Sequence, residues 1–255
     1  MHEPRSELNV NDAPAQICGK TSCGKTIGRA KEHHAVMDAS VMAHYPTAAL
    51  LTVHPQVDTL AGQPLEIPGT SEAVPNIAML CRAFREAERP IAHLVRLYLG
   101  DGSNAEPLRR ALVSGPIPVL RPGSAGRLLA PGLTPDEVDD LDDDLLLSGG
   151  AQVLGPSEVV MYTPRWGAFF ETRLDQHLRS AAVDTVVVGG CNFPNCPRAS
   201  IYEASERDYR IVLVDDAVSG LYDIGRCEMQ NIGVTVLSTA EVLCEVQRLT
   251  GNGMA

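Results

Sequence analysis

One segment concentrates residues able to do covalent chemistry: GGCNFPNCPRASIYEASERD, residues 189–208. An apolar run, TVVVGG at 185–190, ends in two glycines, an Asn- and Pro-rich turn follows, and helical spacing resumes at Pro197. Proline suits the first helical position, which predicts Cys196 at the N-cap. A thiol there faces unpaired backbone N–H groups and the positive end of the helix dipole, and both favour thiolate. Arg198, in the first turn, adds positive charge. The same N–H groups can stabilise an oxyanion, so one turn would supply both nucleophile and oxyanion hole. The competing reading of Cys196 is a small buried structural cysteine, which is the default for Cys81, Cys191, Cys227 and Cys244. Cys191 could also serve as a resolving thiol.

Such a turn needs a scaffold. Apolar runs at 48–54, 91–98, 159–162, 185–190, 210–214 and 234–237 suit buried parallel strands. Helical spacing occupies 75–88, 104–113, 171–182, 198–207, 224–231 and 239–249. The alternation predicts an α/β fold with helices on both faces of a parallel sheet. Sites in such sheets gather at the carboxyl ends of the strands. That directs attention to His54, to Thr163–Trp166 and to Gly190–Cys196. Arg165 offers a guanidinium for a carboxylate or carbonyl, and Trp166 a pocket wall, with plain packing as the alternative for both. Gln56 and Asp58 shape the turn after the first strand, and Asp58 is a second candidate base.

The chain of 255 residues is long enough for one large domain. Residues 1–45 are polar, lack a strand and hold all three lysines, Lys20, Lys25 and Lys31. They read as an N-terminal extension to an α/β domain over 46–255. A net charge of −11 argues against nucleic acid or an anionic membrane as partner. There is no basic-then-apolar leader and no apolar run of membrane-spanning length. Seven scattered cysteines form no disulfide framework, so a reducing cytoplasm is expected. GKTSCGKT at 19–26 matches a phosphate-loop spacing without the strand that such a loop requires, so nucleotide binding is not expected. Cys18, Cys23, His33 and His34 match no common zinc module. Seven acids within 136–144 fit no calcium-loop template and read as a solvated face. No metal and no cofactor is expected.

The segment around Cys196 resembles the nucleophile turn of isochorismatase-like cysteine hydrolases, a superfamily that includes nicotinamidases, N-carbamoylsarcosine amidase, and ureide and biuret amidohydrolases. ALLTVHPQVDTL (49–60) is similar to that family's first strand, and VMYTPRWGAFFETRLDQHL (160–178) to its lysine-bearing segment. With VDDAVSGLY (214–222) the similarity spans residues 46–248. The resemblance implies a three-layer α-β-α fold with a roughly six-stranded parallel sheet, and a homo-oligomer, dimer or tetramer. It implies thiolate attack on the amide-like carbonyl of a small molecule, loss of the amine and hydrolysis of the thioester. The implied oxyanion hole is the N–H of Cys196 with that of Asn192, and a cis peptide at Cys191–Asn192. Many nicotinamidases hold a metal through an Asp-x-His pair and a further His. Only His93 lies between His54 and His177, so no catalytic metal is implied here.

Two departures stand out. The family's catalytic Asp is replaced by His54, in TVHPQ, and its Lys by Thr163, in YTPRW. An imidazole near neutral pKa can form a thiolate–imidazolium pair, which predicts a Cys196–His54 dyad with Thr163 supplying one hydrogen bond. The expected activity is hydrolysis of a small amide- or ureide-type C–N bond. The alternative is a member without amidase activity, acting as a ligand-binding protein or as a lyase or acyl-transfer catalyst.

Overall fold

The computed structural model describes residues 40–135 and 140–251. The 19–26 phosphate-loop spacing, the Cys18/Cys23/His33/His34 group and nearly all of the 1–45 extension lie outside the described residues.

Strands buried on both faces alternate side chains between two cores. In β1 (Ala48–Val53), Ala48 and Leu50 face one core, while Ala49, Leu51 and Val53 face the other. The same division separates Val187 from Val186 and Val188 in β5 (Thr185–Gly190). In β6 (Arg210–Val218) it separates Val212 and Val214 from Ile211 and Leu213. With β2 (Ile91–Val95), β4 (Glu158–Tyr162) and β7 (Thr235–Leu237) these strands pair in parallel. The first core is covered by α1 (Thr70–Glu86) and α7 (Thr239–Gly251), through Ile77, Leu80, Phe84, Val242 and Val246. The second is covered by α4 (Leu174–Ser180), α5 (Cys196–Ser205) and α6 (Asp223–Asn231), through Leu174, Leu178, Ile201 and Met229. Two shorter helices, α2 (Pro107–Val113) and α3 (Asp143–Leu147), lie between β2 and the next strand in sequence.

The three-layer α/β architecture is the expected one, with a seventh strand added. β3 (Ala151–Gly155) pairs antiparallel with β4, giving the order β3-β4-β2-β1-β5-β6-β7. AQVLG escapes a search for apolar runs because an edge strand needs only partial cover, and Val153 is exposed. In the acidic segment Asp140, Asp142 and Asp144 are exposed. Asp140 and Asp143 both ion-pair with the buried Arg127, at 2.6 Å each, while residues 136–139 lie outside the described ones.

His93 is scaffolding. Its ring nitrogens are 2.7 Å from Thr52 Oγ1 and 2.7 Å from Glu158 Oε1, and Arg85 of α1 holds the same carboxylate at 2.6 Å. Burial holds the His93 pKa below its usual value, against the pull of Glu158. Glu158→Gln removes the charge that Arg85 answers, and should cost about 3 kcal/mol in urea unfolding. A loss under about 1 kcal/mol would mean that the carboxylate behaves as a surface ion-pair partner.

Candidate active site

Strand ends build the site. Gly190 has φ 137°, and a Cβ there would lie 2.2 Å from the carbonyl oxygen of Val53. Only glycine lets β5 run this close to β1. The chain then turns over the end of β1: Cys191 N–H donates to Val53 O at 2.9 Å, and its thiol donates to His54 O at 3.0 Å. His54 itself has φ 57°, a left-handed conformation that His, Asn and Asp tolerate better than most residues. Asn192 shares that conformation, at φ 62°. No peptide bond among the described residues is cis, so the cis bond implied at Cys191–Asn192 is corrected to trans.

Helix α5 starts at Cys196 itself, with Asn195 as its N-cap, one residue earlier than the proline suggests. Cys196 is buried. Arg198 turns away from it, toward Glu228 at 2.7 Å and the Tyr222 hydroxyl at 2.5 Å. The Asn192 N–H, half of the implied oxyanion hole, donates instead to Ser219 Oγ at 2.8 Å. Ser219 Oγ is in turn 3.0 Å from Thr70 Oγ1. Among the described residues no other group accepts from the Cys196 N–H.

His54 and Thr163 meet as expected. His54 Nε2 is 2.7 Å from Thr163 Oγ1, and the buried Nδ1 has no partner among the described residues. Thr163 Oγ1 lies 3.4 Å from the Val95 carbonyl oxygen. His54 and Cys196 line one cavity of about 20 Å³ at the carboxyl end of the sheet, with Arg96, Tyr98, Arg109 and Trp166 among its other walls. That volume holds about one water.

Arg96, directly after β2, hydrogen-bonds the Thr163 carbonyl through Nη1 and ion-pairs with Glu106 at 2.8 Å. The Tyr98 hydroxyl donates to the other Glu106 oxygen at 3.2 Å. Sequence reasoning missed this group, and Arg109 with it. IAHLVRLY reads as one strand through Tyr98, whereas β2 stops at Val95 and leaves Arg96 at a carboxyl end. Ser219 gave no signal beyond the SG pair that ends β6.

Besides Thr163 and Arg198, three predicted residues stand outside the cavity lining. Gln56 is buried and ties loops together, donating to the Arg96 and Arg127 carbonyls and accepting from Arg96 N–H. The Asp58 carboxylate accepts from Leu120 N–H at 2.6 Å and packs on Gly126. Arg165 is exposed and donates to the Pro164 and Asn104 carbonyls, bordering a neighbouring cleft with Trp166, Leu108 and Phe170. Trp166 lines both spaces, and its buried indole N–H has no partner among the described residues. Also among those residues, no group of three or more His, Cys, Asp or Glu side chains could hold a metal ion.

Burial dominates the electrostatics and corrects the expected resting state. It pushes the Cys196 thiol up to about 12, against the pull of Arg96 and Arg109. It holds His54 well below its usual value, and both guanidinium groups push the same way. Burial thus favours a neutral thiol and a neutral imidazole over the thiolate–imidazolium pair of the dyad reading. Helix-terminal N–H groups do not outweigh the loss of water around the sulfur.

Residues 150–243 match the family described as the isochorismatase domain, a stretch that includes Thr163 and Cys196 but not His54. A protein of Arabidopsis thaliana named "Probable inactive nicotinamidase" is 27% identical over 194 residues, 73% of this chain and 89% of its own. Maleamate amidohydrolase of Pseudomonas putida is 28% identical over 166 residues, 63% of this chain and 66% of its own. The crystal structure of an isochorismatase family protein from Desulfovibrio vulgaris has a TM-score of 0.66 and 29% identity, covering 77% of this chain and 96% of that one.

A neutral resting thiol has a measurable signature. Iodoacetamide should label Cys196 more slowly than a free thiol at neutral pH, with a rate rising about tenfold per pH unit toward pH 9. Intact-mass analysis against Cys196→Ala isolates this site from the exposed Cys244. Fast labelling below pH 7 would overturn the assignment.

Proposed function

We propose that this chain, which matches the isochorismatase domain over residues 150–243, hydrolyses a small amide- or ureide-type C–N bond through a thioester on Cys196, with His54 as base. The observation that carries this reading is the hydrogen bonding of His54. With Nε2–H donated to Thr163 Oγ1, and the Thr163 hydroxyl directed to the Val95 carbonyl, the unpartnered Nδ1 is a lone pair. One ring nitrogen is anchored and the other is left to accept a proton in the cavity that Cys196 also lines.

The proton does not leave sulfur in advance, since burial opposes both the thiolate and the imidazolium. It moves to Nδ1 as the S–C bond forms and charge passes to the carbonyl oxygen. The Cys196 N–H and the guanidinium field of Arg96 and Arg109 favour that charge. The imidazolium then gives the proton to the departing nitrogen as the C–N bond breaks. In the second half, water loses a proton to Nδ1 and attacks the thioester carbonyl, and the proton returns to sulfur.

A second reading, ligand binding without hydrolysis, draws support from the absent family Asp and Lys and from the relative named an inactive nicotinamidase. A panel of small amides and ureides, scored by mass spectrometry for the released acid or amine, separates the two. Cys196→Ala should abolish turnover. His54→Gln should lower kcat about 100-fold or more, the usual worth of a general base. Thr163→Val should cost less, by releasing the ring. The acid limb of kcat/KM should lie below pH 6.5, since His54 stays neutral there. Turnover that survives Cys196→Ala would sink the thioester mechanism, and binding without any turnover would favour the second reading.

A further inference from the structure

Glu106 is the N-cap residue of α2, yet its side chain caps nothing on that helix. The carboxylate turns back toward the strand ends instead, and its side chain is only 9% exposed. A carboxylate so placed is stable only when its oxygens are held. Oε1 accepts from Arg96 Nη2 at 2.8 Å, and Oε2 from the Tyr98 hydroxyl at 3.2 Å. Glu106 borders the neighbouring cleft and not the cavity of Cys196, whereas Arg96 and Tyr98 line that cavity. It therefore acts from behind the wall.

The wall group that it holds is Arg96. That guanidinium is gripped by the Glu106 carboxylate, by the Thr163 carbonyl, which accepts from Nη1, and by the Tyr98 ring, whose centre lies 4.9 Å from Cζ. Thr163 in turn holds His54 Nε2 through its hydroxyl at 2.7 Å. A carbonyl and a ring face alone would leave a long, rotamer-rich side chain less firmly placed.

Holding Arg96 in this way has an electrical consequence. The charged groups that act on Cys196 are two cations, Arg96 and Arg109, and one anion, Glu106, while His54, Tyr98 and Cys191 share the cavity. Burial raises the thiol most, the two guanidinium groups pull it down, and Glu106 pushes it up. The carboxylate that fixes Arg96 thus cancels part of its charge at the sulfur.

We propose that Glu106 is a positioning residue: through Arg96 it orders the Thr163–His54 side of the site, and it limits the positive charge that reaches Cys196. The inference concerns the resting protein, and rests on the hydrolase reading only for the use to which the thiol is put.

Iodoacetamide labelling of Cys196 at one mildly alkaline pH, read by intact mass against Cys196→Ala, tests this without turnover, since the thiolate is the reactive form. Glu106→Gln keeps the shape and an acceptor for Arg96 but not the charge, and should raise the rate about threefold or more. Glu106→Asp keeps the charge and should stay within about twofold of wild type. The double variant Arg96→Gln/Glu106→Gln removes cation and anion together, and should label no faster than wild type. It leaves no unpaired buried charge, so it keeps the test open if Glu106→Gln folds poorly by its urea midpoint. A site that merely loosens would label faster in every variant, because opening admits both water and reagent. An unchanged or slower rate in folded Glu106→Gln overturns the proposal, and so does a double variant that labels faster than wild type. The predicted pattern in a protein that hydrolyses nothing would keep this inference and remove the hydrolase reading. Turnover through Cys196 with labelling indifferent to Glu106→Gln would do the reverse.

Discussion

The close approach of β5 to β1 is the constraint on which the rest of the site depends. Gly190 presses its backbone against Val53, where any Cβ would collide, and the Cys191 N–H and thiol then cap the end of β1. Those contacts fix where the turn 191–195 begins, hence where α5 begins, hence which residue of the turn looks into the sheet end. His54 directly follows β1, so the same junction that places Cys196 also places His54. The site is thus centred on two adjacent strands, with α5 supplying Cys196 and the segment after β2 supplying Arg96 and Arg109.

Exclusion of water from the site has two effects of opposite use. It raises the Cys196 thiol and lowers the His54 imidazole, which favours the neutral form of both. It also strengthens every charge that remains, since a guanidinium acts further where solvent cannot screen it. A neutral nucleophile is protected from alkylation and oxidation, whose reactive form is the thiolate.

The main frame was legible because strong local signals agreed with it. Six apolar runs and the glycine-to-proline passage at 189–197 correspond to strands and a turn that tertiary structure did not need to override. What escaped the sequence has physical causes. β3 has one free edge and an exposed Val153, so it lacks the continuous apolar character of a central strand. Arg96 was hidden inside an apolar run whose last residues belong to a loop. Glu106 and Arg109 reach the site only because the loop after β2 folds back over the strand ends, a long-range event that no local pattern encodes. Asn192 shows a limit of another kind: its position was inferred from a motif, but the partner of its N–H, Ser219, comes from the far end of β6.

The two replacements at 54 and 163 are coupled through charge and backbone shape. Position 54 needs a left-handed conformation, and Asp and His both tolerate it, so the exchange leaves the turn intact. It removes a negative charge from a buried site. An ammonium at 163 would then stand beside Arg96, which already donates to the Thr163 carbonyl, with no free anion to hold it. Threonine solves that problem by offering a hydroxyl of the right reach for His54 Nε2 and no charge. Positive charge is still supplied to the thiol, now from Arg96 and Arg109 on the neighbouring strand end and helix.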